Sequence, residues 1–199
     1  KGISVKKQDF ELYYNTLKSI CSDTTLLNKY AKKYNQILKL KPGLASPSFT
    51  CKDINGQHVS LSDFKGKLVY IDLWATWCGP CKTQIPFLNE LEEIYKEKNI
   101  SFVSISIDKL KNIEKWKNMI KSKEMGGIQL IAENAWESEF AVALNVESIP
   151  RFVLLDQKGN IINIDAPRPS TRGFDKKTGE QIERELNKEL IQLIEKHLK

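Results

Sequence analysis

Metal-ligating residues are scarce in this chain of 199 residues, which has four cysteines, Cys21, Cys51, Cys78 and Cys81, and two histidines, His58 and His197. A structural zinc ribbon needs a second Cys-x-x-Cys or a His pair at ligand spacing. Neither is present, and no His or Met stands near Cys78 and Cys81 to complete a copper site. No metal is therefore expected. No apolar run approaches the length of a transmembrane helix. The opening residues Lys1-Gly2-Ile3-Ser4-Val5 carry no signal-peptide core, so an exported protein would be seen here in its mature form, with any membrane anchor outside this chain. Also missing is a compact basic block interleaved with aromatics. The net charge of +6 comes from scattered lysines, which excludes a nucleic-acid footprint and describes a solvated surface with a bias toward acidic partners. Hydrophobic residues at 41% and charged residues at 28% are ordinary for a globular protein. The length suits one well-cored domain with an extension.

What is present concentrates in one stretch. Leu68-Val69-Tyr70-Ile71-Asp72-Leu73-Trp74 reads as a central strand, and Trp77-Cys78-Gly79-Pro80-Cys81 follows it at the start of a helical pattern. A strand buried on both faces is a near-continuous run of β-formers. Unpaired N–H groups and the positive end of the helix dipole stabilise a thiolate at the first cysteine position. Cys78 is thus the candidate nucleophile. Cys81, one turn later, can close a small ring with it and resolve a mixed disulfide. Pro80 suits the first turn, where its missing N–H costs nothing. A non-enzymatic module that binds metal or assists assembly through the same pair is the competing reading.

The rest of the chain reads as follows. Residues 10–40 are helical, with apolar positions Phe10, Tyr13, Tyr14, Leu17 and Ile20, a break and N-cap at Ser22-Asp23-Thr24, and a second stripe through Leu26, Leu27, Tyr30, Tyr34, Ile37 and Leu38. Residues 49–60 form a hairpin turning at Asp53-Ile54-Asn55-Gly56, and 60–64 lead into the central strand. Ile85, Leu88, Leu91, Ile94 and Tyr95 mark a helix kinked at Pro86, followed by a strand over 100–107, a helix over 112–123 and a strand over 128–131. Trp136, Phe140, Ala143 and Leu144 suggest a short helix. Strands over 151–155 and 161–164, a surface loop over 166–179 and a helix over 180–198, with Ile182, Leu186, Leu190, Leu193 and Ile194 toward the core, complete the chain.

The stretch from Ile71 to Lys82 resembles the active-site strand and turn of the thioredoxin superfamily, and Ser148-Ile149-Pro150 falls where that family places a cis-proline opposite its cysteines. Ser46-Pro47-Ser48-Phe49-Thr50, Asp53-Ile54-Asn55-Gly56, the run Ser60 to Lys67 and the run Leu154 to Ile161 are similar to the TlpA/ResA branch, extracytoplasmic thiol:disulfide oxidoreductases of bacteria with a redoxin-type thioredoxin fold. The resemblance covers roughly residues 43–169. It implies an α/β fold, with a central mixed β-sheet flanked by helices and an N-terminal β-hairpin. Residues 43–199 would form this domain, including the C-terminal helix, and residues 1–42 a helical extension that can be the end of a larger region.

The resemblance also implies roles. Cys78 attacks protein disulfides, Cys81 resolves, and the buried Asp72 assists proton transfer at Cys81. Trp77, Gly79, Pro80, Ile149 and Pro150 bound the substrate groove, with Pro150 keeping metal from the thiols. No cofactor is expected beyond the Cys78–Cys81 disulfide. Partners would be protein disulfide or dithiol substrates and an upstream thiol electron donor, met by a monomer in the periplasm or cell envelope. A carboxylate in an apolar strand should titrate high. Two positions depart from the relatives: Gln84 stands where ResA-like reductases have a Glu, and Ser104 where thioredoxin has a lysine. A peroxiredoxin-like peroxidase is the rival enzyme, but its Pro-x-x-x-Thr/Ser-x-x-Cys context does not match Leu73-Trp74-Ala75-Thr76-Trp77 before Cys78. Cys21 and Cys51 can be bridged or free, and His58 and His197 are surface residues.

Overall fold

The computed structural model describes residues 7–171, 173 and 182–198, and the chain divides into units Lys1–Lys41 and Pro42–Lys199. The first unit holds α1 (Lys7–Ile20) and α2 (Thr24–Leu38). Asp23 caps α2, its Oδ1 accepting the N–H groups of Thr25 at 2.9 Å and Leu26 at 3.1 Å, and so satisfies donors that a helix start leaves open. The two helices meet through aromatic rings, Tyr13 on Tyr30 and Tyr14 on Tyr34, with centroids 5.9 and 4.7 Å apart. The side chain of Phe10 lies outside the described residues.

In the second unit, β1 (Thr50–Asp53) and β2 (His58–Ser60) pair antiparallel. β3 (Leu68–Trp74), β4 (Ile100–Ser106) and β5 (Ile128–Ile131) run parallel. β6 (Arg151–Leu155) lies antiparallel to β3, and β7 (Ile161–Asn163) antiparallel to β6. Together they form a seven-stranded mixed sheet, β2-β1-β5-β4-β3-β6-β7. All residues of β3 and β4 are buried, as their apolar composition predicts for strands covered on both faces.

The helices are α3 (Gly79–Lys82), α4 (Ile85–Ile94), α5 (Ile113–Ser122), α6 (Glu139–Ala143) and α7 (Lys188–His197). Leu88 and Leu91 of α4, and Leu190 and Ile194 of α7, pack with Leu68, Tyr70, Phe102, Phe152 and Leu154 of the sheet. Each such side chain contributes about 1.5–3 kcal/mol relative to exposure. Strand alternation then puts Asp72 on the same face as Tyr70, toward α4 and α7.

Several boundaries differ from those predicted. Instead of one helix kinked at Pro86, α3 and α4 are separate, and Pro86 sits in the first turn of α4, where it removes no intrahelical bond. Ile94 is exposed, while Tyr95 reaches the core. Residues 61–64 form a 3-10 turn closed by Asp63 Oδ2, which accepts the Ser60 N–H. The final helix starts at Lys188, where Asn187 caps it; Ile182 is exposed, and Leu186, ahead of the helix and bridged to Ser170, still packs against the core. Part of the predicted surface loop is interior, since Ala166 and Ser170 are buried. Residues 174–181, including the predicted helix start at Glu180, lie outside the described residues. Among the described residues no helix is long and apolar enough to cross a membrane.

Candidate active site

β3 ends at Trp74, and the chain passes through Ala75-Thr76-Trp77 into α3. Cys78 is the N-cap of α3, where its Sγ accepts the Cys81 N–H at 3.1 Å. Cys78 and Cys81 are joined as a disulfide with Cα atoms 5.3 Å apart. Both residues are buried, at 4% and 3% exposure, so accessibility does not tell them apart. The helix start does, because only Cys78 receives a backbone N–H at its sulfur. Trp77 is 52% exposed, and a Cβ added at Gly79 would meet nothing within 4 Å, so open space adjoins the pair.

The turn is held by a residue that the sequence reading did not single out. Asp108, fully buried just beyond β4, accepts the Thr76 N–H and the Thr76 hydroxyl, both at 2.8 Å, and the Ser106 hydroxyl at 2.8 Å. Its signal was an acidic residue straight after an apolar strand, but its partner lies 32 positions away. Leaving a buried donor without an acceptor costs about 1–3 kcal/mol. Asp108→Ala, which orphans three, should destabilise the fold by on the order of 3 kcal/mol and lower Tm by roughly 10 °C. Thermal unfolding checks this, and a parent-like Tm would remove the clamp.

Asp72 is 4% exposed. Ser104 Oγ donates to its Oδ1 at 2.6 Å, so the position expected to lack thioredoxin's lysine supplies a neutral donor instead. Burial pushes the Asp72 carboxyl up to about 7, against the lowering effect of that bond. Glu92 of α4 is also pushed up to about 7, by burial first and by the charge of Asp72 second. Gln84, where a titrating Glu was the alternative, is 1% exposed and structural. Its Oε1 accepts the Ser170 N–H at 3.0 Å, and its Nε2 lies 3.0 Å from Ser170 Oγ, tying the start of α4 to the segment before α7.

The Ile149–Pro150 bond is cis, as the thioredoxin resemblance implied. Because Arg151 pairs with Leu73, Pro150 adjoins the end of β3 from which the cysteine turn departs. Trp136 lies in a short 3-10 helix, Ala135–Glu137, separate from α6; it is 38% exposed, and its ring lies 6.3 Å from that of Trp77. Cys21 and Cys51 are free thiols. Burial, then the charge of Glu133, pushes Cys51 up to about 12, which leaves it a poor nucleophile at neutral pH.

A mixed sheet carrying a Cys-x-x-Cys disulfide at a strand-to-helix turn, with a cis-proline at the head of the neighbouring antiparallel strand, defines a thioredoxin-fold dithiol/disulfide protein. Residues 41–182 match the Redoxin family model. Thiol-disulfide oxidoreductase ResA of Bacillus cereus is 30% identical over 133 residues, covering 67% of this chain and 74% of that protein. A Bacteroides vulgatus protein solved in solution as a candidate thiol-disulfide oxidoreductase is 49% identical, with a TM-score of 0.56, covering 65% of this chain and 84% of that one. A thiol-disulfide oxidoreductase from Bacteroides fragilis is 26% identical, with a TM-score of 0.57, covering 62% and 90%. The chain belongs to the Redoxin family, in its ResA/TlpA-like branch, and is a thiol:disulfide oxidoreductase.

Proposed function

We propose that the protein reduces protein disulfides outside the cytoplasm, with Cys78 as the attacking thiol and Cys81 as the resolving one. In the reduced protein the Cys78 thiolate attacks a sulfur of the substrate disulfide. That S–S bond breaks, a mixed disulfide forms, and the leaving thiolate takes a proton. Asp72 accepts the proton of Cys81, whose thiolate then attacks Cys78 Sγ, releasing the second substrate thiolate and closing Cys78–Cys81. Two electrons pass to the substrate, and an upstream dithiol donor returns two. No further cofactor enters this balance, and one chain supplies both cysteines, so a monomer suffices.

Trp77, Gly79, Pro80, Ile149 and Pro150 are the proposed walls of the substrate groove. The observation that carries this reading is the Cys81 N–H at Cys78 Sγ, which favours charge on Cys78. The high-titrating Asp72 on the face toward α4 supports its share in the second step. The periplasmic or cell-envelope setting is supported by the TlpA/ResA resemblance. Equilibration against a thiol redox buffer tests the direction of electron flow. A reductant should show a potential of roughly −270 to −200 mV, whereas a value near about −120 mV, that of a strong oxidant, would overturn the reductase reading.

A further inference from the structure

Trp77 and Trp136 come from loops that follow different strands, β3 and β5, yet their rings meet at 6.3 Å with planes tilted by 39°. Both are well exposed, at 52% and 38%, which is unusual for the largest apolar side chain. The turn that presents Trp136 is strained. Asn134 and Ala135 take φ values of +63° and +51° in succession. Asparagine tolerates the left-handed region, but alanine carries a Cβ that disfavours it. Such a conformation persists only where surrounding structure holds it, and observed strain of this kind points to function. Ala135 is itself buried, anchoring the turn beneath the exposed ring.

We propose that Trp77 and Trp136 form an aromatic platform that docks a large apolar side chain flanking the cysteine of a partner polypeptide. This rests on Cys78 as the attacking thiol. Exchange requires a partner sulfur to reach Cys78 Sγ, which lies next to Trp77, so the chain flanking that sulfur is laid over the platform. Leu110, exposed beyond the end of β4, is a further exposed apolar side chain at the same end of the sheet. The charges nearby in sequence are mixed, with Lys109 and Lys111 on one loop and Glu137 and Glu139 on the other. A charged partner segment therefore gains little, and apolar contact decides the choice.

The test uses reduced protein and short disulfide-linked peptides that differ only beside the cysteine, carrying Phe, Ser, Lys or Glu, with kcat/KM measured for each. The Phe peptide should be reduced about tenfold faster than the Ser peptide, the scale of one well-buried aromatic contact. Trp136→Ala should bring that ratio to within about twofold, and Trp136→Phe should keep most of it. Ala135→Gly, which keeps the ring but frees the turn, should lower it to an intermediate value. Equal rates with Phe and Ser, a preference for Lys or Glu, or an unchanged ratio in Trp136→Ala would each overturn the platform while leaving the dithiol reading standing. Reduction of none of the peptides would overturn both.

Discussion

Cys78→Ser should abolish disulfide reduction, while Cys81→Ser should still attack and accumulate as a stable mixed disulfide with its substrate. The asymmetry follows from the turn. Cys78 Sγ accepts the Cys81 N–H at the helix start, an interaction that favours its thiolate, whereas Cys81 lies within the first turn and is placed to attack only Cys78 Sγ, once that sulfur is bonded to a substrate. A serine alkoxide is not accessible at neutral pH, so the loss in Cys78→Ser should exceed roughly 1,000-fold. Both variants lose the same short cross-link, worth about 2 kcal/mol in its oxidised form, so stability cannot produce the difference. The measurement is trapping of a disulfide-bonded protein, read on a non-reducing gel and by mass spectrometry. Equal trapping by the two variants would sink the assignment.

Asp72→Asn should slow resolution of the mixed disulfide by about a hundredfold and at the same time stabilise the fold. Burial raises this carboxyl from its ordinary value near 3.8 to about 7, so the folded chain holds the proton more tightly than the unfolded one. The native state then loses stability as pH rises from about 4 to about 7, and above 7 it bears the whole cost of the buried charge. A shift of about three units corresponds to on the order of 4 kcal/mol. Removing the ionisable group should recover on the order of 2–4 kcal/mol at pH 8 and almost nothing at pH 4. An asparagine oxygen can still accept from Ser104 Oγ, so the hydrogen bond now at 2.6 Å survives. Resolution in the parent should weaken below pH 7 as Asp72 becomes protonated, and the variant should lose that dependence. Stopped-flow resolution rates and denaturant unfolding at both pH values check the two halves. An unchanged resolution profile would take Asp72 out of the mechanism.

These expectations draw unequally on sequence and structure. The cysteine pair, the strand before it and the acidic residue inside that strand were legible because each signal is local: a spacing of three, a seven-residue apolar run, and one carboxylate among β-formers. The proline was legible through resemblance, since an Ile-Pro dipeptide alone says little about its peptide bond. Element boundaries were less so. Ile94 and Ile182 fit an apolar stripe yet are exposed, because periodicity marks the face of a helix but not where its neighbours end. Ser170 was read as surface and is fully buried against Gln84, a pairing across 86 positions that no local pattern encodes.

By itself, then, the amino-acid sequence determined which two sulfurs form the disulfide, on which strand-to-helix turn they sit, and which carboxylate lies in the strand before them. Tertiary structure decided how that pair is held and presented. Asp108 clamps Thr76 from 32 residues away, Ser104 supplies the hydrogen-bond donor to Asp72 from the next strand, and Trp136 reaches Trp77 from beyond β5. The reason is physical. Helix starts, strand burial and turn residues depend on neighbours within a few positions, whereas the partners of a buried hydrogen bond or an exposed ring are set by sheet order and register, β5 beside β4 beside β3.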